Sequence, residues 1–138
     1  MKKSTNPLWG GRFKTENSDL LKKINNSISF DFKLANEDIK LNKVYSHALC
    51  KARIISVNEN KKIQKALDEI LIGIGKKNFK FSELYEDIHM NIEMLLKKKI
   101  GLLSGKIHTG KSRNDQVVTD LKLWIKDKIG IVIKQIKK

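Results

Sequence analysis

The sequence predicts an all-α fold, and two observations carry the prediction. Apolar residues recur at three- and four-residue spacing in several separate segments, with candidate caps and glycines falling between them. No stretch sustains the period-two alternation and turn signals of a β-hairpin. The elements follow in order. A short helix is expected around Asp19 to Ile28, weakened by Asn25, Asn26 and Ser27, whose side chains compete for the backbone. A stripe of Leu41, Val44, Tyr45, Ala48, Ala52 and Ile55 predicts the next helix. Asn58 is the expected N-cap of a further one, carrying Ile63, Ala66, Leu67, Ile70, Leu71 and Ile74, with Gly73 and Gly75 helping to end it. Ser82 is expected to cap a helix with Leu84, Ile88, Ile92, Leu95 and Leu96, and Gly101 to mark its end. The last helix runs from about Asp115 through Val118, Leu121, Ile125, Ile129, Val132 and Ile136. Val117, Trp124, Ile131 and Ile133 widen its stripe, so it expects partners on several sides. It meets no Gly, Asn or Pro at its end, which predicts either docking into an oligomer or continuation of the chain.

Composition narrows the function classes. The 138 residues fit one small domain with a sizeable core. A net charge of +14 raises the question of nucleic acid, but only Arg12, Arg53 and Arg113 are arginines. Bidentate recognition of phosphate or guanine favours Arg, and the lysines are spread along the chain rather than gathered in a patch. No specific nucleic-acid partner is expected. Cys50 is the only cysteine, so an intramolecular disulfide is excluded and a reducing, cytoplasmic setting is expected. No apolar run reaches the ~18 to 20 residues that span a bilayer, and no membrane partner is expected.

Metal chemistry finds little support. His47, His89 and His108 are far apart, and His89 with Glu93 makes one i, i+4 pair that reads as a surface or supporting ion pair. No glycine-flanked nucleophile elbow occurs, and "GLLSGK" lacks the spacing of a phosphate loop. "HTGKSRNDQ", residues 108–116, is more informative. It is a wholly polar loop between two apolar helices, and free N–H groups at the head of the following helix favour an anion. Arg113 adds a planar fork of donors suited to a carboxylate, and Gly105 and Gly110 allow a tight turn. Ser112 or Asn114 could equally serve only as a cap, with Asp115 complementing the helix dipole. The residue types alone leave both readings open.

Four segments in order, "LWGGRF" at 8–13, "NNSISFDFKLANEDI" at 25–39, "EDIHMNIE" at 86–93 and "GKIHTGKSRNDQVVTDLKLW" at 105–124, resemble the N-terminal part of the argininosuccinate lyase family. That family belongs to the fumarase and aspartase superfamily, and the delta-crystallins are its lens relatives. The resemblance covers about the first third of such an enzyme. It implies a helical N-terminal domain over residues 1–112 and the beginning of a central bundle helix over 113–138. It also implies a homotetramer with active sites built from three subunits. The implied reaction splits argininosuccinate into arginine and fumarate by anti β-elimination, without metal or organic cofactor. Donors placed around a carboxylate then stabilise the charge of an aci-carboxylate intermediate.

Carried over by position, Ser27 and Asn114 are expected to bind substrate and Arg113 to bind its carboxylate, with Asp31 and His89 lining or supporting the pocket. Gly105, His108, Thr109, Gly110 and Ser112 are expected to shape the loop. Lys111 stands where the family usually has Arg, keeping the charge and losing the fork. The family's serine loop, Gly-Ser-Ser-x-Met-Pro, and its Thr-His pair do not occur in this sequence. No catalytic acid or base is therefore expected within these residues, and the chain alone is expected to be inactive. The alternative is a non-catalytic helical interaction or structural protein built on the same scaffold.

Overall fold

The computed structural model describes residues 19–76 and 79–137, and "LWGGRF" lies outside them. The helices are α1 (Asp19–Asn25), α2 (Ile28–Asp31), α3 (Ala35–Lys51), α4 (Val57–Ile74), α5 (Ile88–Ile100) and α6 (Arg113–Ile136), with 3-10 segments at Phe32–Leu34 and Gly101–His108. No strand occurs among the described residues, and the fold is all-α as the sequence predicts. Asn26 and Ser27 split the expected first helix in two. The Asn26 carboxamide oxygen accepts from the Ile28 amide at 3.1 Å, a local bond that competes with the helix ladder.

Helix α3 packs against α4, α5 and α6. Its buried face differs from the predicted stripe. Val44 is 64% exposed, Ala48 and Ala52 are exposed, and Leu41 and Tyr45 are half-buried. Of that stripe only Ile55, just past the helix, is buried. The inward face is instead Ala35, Ile39 and Leu49 together with Asp38, Asn42 and Ser46. A helix that sends polar side chains inward cannot be phased by apolar residues alone. Those polar groups are satisfied: Ser46 Oγ donates to Asn60 Oδ1 at 2.9 Å, and Gln64 Nε2 donates to Ser46 Oγ at 2.6 Å.

In α4, Ile63, Ala66, Leu67 and Ile70 enter the core as predicted, while Leu71 stays 38% exposed. Its cap is Ser56 rather than Asn58. Ser56 Oγ accepts from the Glu59 amide at 3.1 Å, and Glu59 Oε2 accepts from the Ser56 amide at 2.8 Å. This reciprocal box needs the Ser-x-x-Glu spacing of 56–59, which Asn58 cannot supply. Helix α5 likewise begins later than predicted, with Asp87 as cap accepting from the Met90 amide at 2.6 Å. Ser82 is held in an irregular segment by Asn91, whose carboxamide engages both the Ser82 amide and its carbonyl. Leu84 is consequently outside the helix and 86% exposed. Gly101 ends α5 with φ at +61°, backbone that favours glycine.

Ile28, Ile39, Leu49, Ile63, Leu67, Ile88, Ile92, Leu96 and Ile107 form the centre of one core shared by α2 to α5 and the second 3-10 segment. Helix α6 joins this body differently. Its buried residues are Gln116 and Asp120, whereas Val118, Leu121, Ile125, Ile129, Val132 and Ile136 are exposed. Among the described residues, no helix is long and apolar enough to cross a membrane.

Candidate functional site

A cavity of about 430 Å³ opens where α2 and the Phe32–Leu34 turn meet the heads of α5 and α6. Ser27, Asp31, Asp87 and His89 supply its polar groups, Lys33 sits at its edge, and Phe30, Val117, Leu121 and Trp124 give it an apolar wall. The backbone assembles the polar end. The amides of Ser27 and Ile28 both donate to the Glu86 carbonyl, at 2.8 and 3.2 Å, docking α2 onto the start of α5. Asp31 Oδ2 then accepts from Ser27 Oγ at 2.6 Å and from the Ile88 amide at 3.3 Å. A carboxylate at a helix N-terminus meets unpaired N–H groups and a favourable dipole. Asp31 Oδ1 is buried with no hydrogen-bond partner in the structure, and burial pushes the Asp31 carboxyl above its usual range despite the bonds from Ser27 and Ile88.

His89 lies behind this end, 2% exposed. It is not paired with Glu93. Its Nδ1 is 2.9 Å from Asp38 Oδ1 on α3 and 3.3 Å from Asp120 Oδ2 on α6, both carboxylates fully buried. Burial alone would lower the imidazole pKa, but the two carboxylates outweigh it and raise it to about 9. Asp38 is held below the usual carboxylate range: burial opposes this, and His89 and Gln116 overcome it. Asp120 moves the other way, to about 6, through burial and the neighbouring charge of Asp38.

Ligand-type atoms of Asp38, His89 and Asp120 lie within 4.8 Å of one another. The Asp38 oxygens already accept from Gln116 Nε2 and from Asn42 Nδ2, the latter at 2.9 Å, and His89 Nδ1 is engaged by the carboxylates. Asp38 and His89 are thus hydrogen-bonded, whereas both Asp120 oxygens are buried with no hydrogen-bond partner in the structure and Asp120 faces His89 as an ion pair at 3.3 Å. The other histidines stand apart, His47 against Asn60 at 3.0 Å and His108 4.0 Å from Glu93. Burial holds the His108 imidazole below its ordinary pKa.

The predicted site residues therefore divide into two groups. Ser27, Asp31 and His89 share the cavity. Arg113 and Asn114 head α6 and do not line it. The Arg113 fork is engaged by Glu93 Oε2 at 2.9 Å and Gln116 Oε1 at 3.1 Å, and Asn114 is exposed with its amide donating to the Ser112 hydroxyl. Ser112 is the N-cap of α6, in a reciprocal box with Asp115, so the helix starts at Arg113, two residues before the predicted start. In the loop, Gly110 adopts φ of +70°, and the Thr109 carbonyl accepts from Tyr45 Oη at 2.7 Å. Lys111 Nζ donates to Asn42 Oδ1 at 2.7 Å and lies over the Tyr45 ring. Gly105 sits within the Gly101–His108 segment with open space around it.

Sequence reasoning missed Asp38, Gln116 and Asp120. The available signal was polar residues four apart on a helix face, Asp38 with Asn42 and Gln116 with Asp120. A second cavity, of about 520 Å³ between α4 and α5 and lined by Lys62, Lys65, Glu69 and Lys99, holds none of the predicted site residues.

Comparisons with known proteins show the family. A family described as "Lyase" matches residues 11–138. The chain is 52% identical over 134 residues to the argininosuccinate lyase of Ehrlichia ruminantium strain Welgevonden, covering 97% of this chain and 29% of that protein. It is 44% identical over 136 residues to argininosuccinate lyase 1 of Mesorhizobium japonicum, covering 99% of this chain and 29% of that protein. Against the argininosuccinate lyase of Limosilactobacillus reuteri it is 43% identical over 131 residues. The chain thus spans a little under a third of the length of these curated relatives. With the all-α architecture, these matches make the chain a member of the lyase family, corresponding to the N-terminal portion of argininosuccinate lyases.

Proposed function

We propose that the chain is the substrate-binding front of an argininosuccinate lyase, which cleaves argininosuccinate to arginine and fumarate by β-elimination in arginine biosynthesis. The observation that carries this reading is the meeting of Ser27, Asp31 and His89 in one cavity, in a chain 52% identical to a named argininosuccinate lyase. The cavity suits a ligand bearing both signs of charge. Asp31 and Asp87 offer acceptors to a guanidinium or ammonium, while His89 and Lys33 offer positive charge to a carboxylate. Arg113 and Asn114 complete the carboxylate site from the head of α6, across a subunit boundary of a homotetramer. Residues 1–112 form the N-terminal domain, 113–138 begin the central bundle, and the enzyme works in the cytoplasm. The acid and base come from downstream segments.

A chimera tests the reading. This chain replaces the matching portion of the Ehrlichia ruminantium enzyme, and fumarate release from argininosuccinate is followed by ultraviolet absorbance. The chimera is expected to turn over, the isolated chain to show no release above buffer, and Ser27→Ala or Asp31→Asn in the chimera to lower kcat/KM by roughly tenfold or more. A chimera that assembles and binds argininosuccinate no better than buffer proteins would overturn it.

A further inference from the structure

One connected set of side chains runs from the polar loop to the cavity. Glu93 accepts from Arg113, Arg113 donates to Gln116, Gln116 donates to Asp38, and Asp38 accepts from His89. A branch leaves Asp38 through Asn42 to Lys111. Asp38 is the junction: it is fully buried, and its two oxygens receive three donors carried by α3, α5 and α6. The chemistry of His89 follows from this. Its Nδ1 is committed to the two carboxylates, so Nε2 is the ring nitrogen left for the cavity. Two buried carboxylates beside one imidazole strongly favour the imidazolium, because a buried negative charge with no cation is costly. An imidazolium presents Nε2–H as a donor, whereas the neutral ring with its proton on Nδ1 presents a lone pair.

We propose that Asp38 is a positioning residue for His89: together with Asp120 it keeps the ring an imidazolium whose Nε2–H is a fixed donor toward the cavity, matched to a carboxylate of the ligand, and through Gln116 it ties that donor to Arg113. His89 on this account is a standing cation of the pocket and exchanges no proton near neutral pH. The charged groups facing it are Asp38 from α3, Asp120 from α6, Asp87 at the head of its own helix and Asp31 from α2; the Lys111 charge acts on Asp38 and Asp120 from the loop. The negative groups outnumber the positive ones, in keeping with the raised imidazole pKa. The carboxylate-binding half of the inference rests on the functional reading above, while the hold of Asp38 on His89 does not.

The test follows the His89 ring resonances of this chain through a pH titration, assigned by their loss in His89→Gln, together with the fumarate affinity of the assembled chimera that carries it. Wild-type His89 is expected to stay protonated through about pH 8, and Asp38→Asn and Asp120→Asn each to lower its midpoint by about 2 pH units. Asp38→Glu is expected to restore most of the shift. Fumarate binding by Asp38→Asn is expected to fall roughly tenfold below wild type at about pH 8 and to converge with it at about pH 6, where the ring is largely charged in both. A merely structural role for Asp38 weakens binding equally at both pH values and leaves the midpoint in place, which overturns the proposal. A wild-type midpoint near that of free histidine overturns it without any variant. Wild-type titration as stated with no fumarate affinity at any pH upholds the hold of Asp38 on His89 and overturns the reading of the cavity.

Discussion

His89 carries more of the pH dependence of this molecule than its single charge suggests. Its pKa rises from 6.5 to about 9 on folding, so the stability it contributes is fully present below about pH 6.5 and is lost as pH rises through about 9. Asp120, raised from 3.8 to about 6, has the same sign lower on the scale: its contribution is present below about pH 3.8 and gone above about pH 6. Asp38, held below 3.8, works oppositely and loses its contribution as pH falls. Between neutrality and about pH 9.5 the His89 effect dominates and is on the order of 2–3 kcal/mol. Urea melts are expected to show the midpoint falling across that window, with the slope largely abolished in His89→Gln. That variant also leaves Asp38 and Asp120 facing each other without a cation, and at about pH 7 it is expected to be destabilised by about 3–5 kcal/mol. Equal melts of wild type and variant at that pH would remove the network from the account of stability.

Elements start and stop where particular residues make them. The Ser56–Glu59 box begins α4, and Ser56→Ala is expected to lower the unfolding free energy by about 1 kcal/mol in urea melts. Gly101, with φ of +61° and ψ of −137°, ends α5 in backbone that L-residues rarely adopt. Gly101→Ala is expected to cost about 1–2 kcal/mol although a Cβ there meets nothing within 4 Å, because the strain lies in the backbone. An alanine variant as stable as wild type would show that the turn relaxes. Gly101 is readable in the sequence as the end of its helix, whereas the start of α4 is not: the sequence predicts Asn58 as the cap, and the structure places Ser56 there. Helix α3 was not readable in the same way. Its inner face carries Asp38, Asn42 and Ser46, and apolar periodicity has no means of reporting polar residues that face inward with partners supplied by other helices.

On the scale of the whole molecule, α6 is tied to the body by polar contacts and exposes its apolar residues. Gln116 and Asp120 are its buried residues, and Leu121, Ile125, Ile129 and Val132 are each 42–53% exposed. An apolar face of that extent drives association when nothing covers it. Sedimentation of the isolated chain is therefore expected to show concentration-dependent self-association, relieved by Ile125→Lys with Val132→Lys. A monomer at every accessible concentration would show that the face is tolerated in water.

From the order of its residues alone, this protein was determined to be all-α, to share the motifs of the argininosuccinate lyases, and to place a polar loop at the head of a long apolar helix. Those properties are local: they depend on periodicity, on caps within one turn and on short runs of residues. Only the tertiary structure decided that Ser27, Asp31 and His89 share a cavity while Arg113 turns to Glu93 and Gln116. It alone revealed that His89 belongs with Asp38, 51 positions away, rather than with Glu93 on its own helix face. The pairing of a buried charge is settled by which helices pack around it, because burial sets the cost of leaving it unpaired and packing sets which partners come within reach.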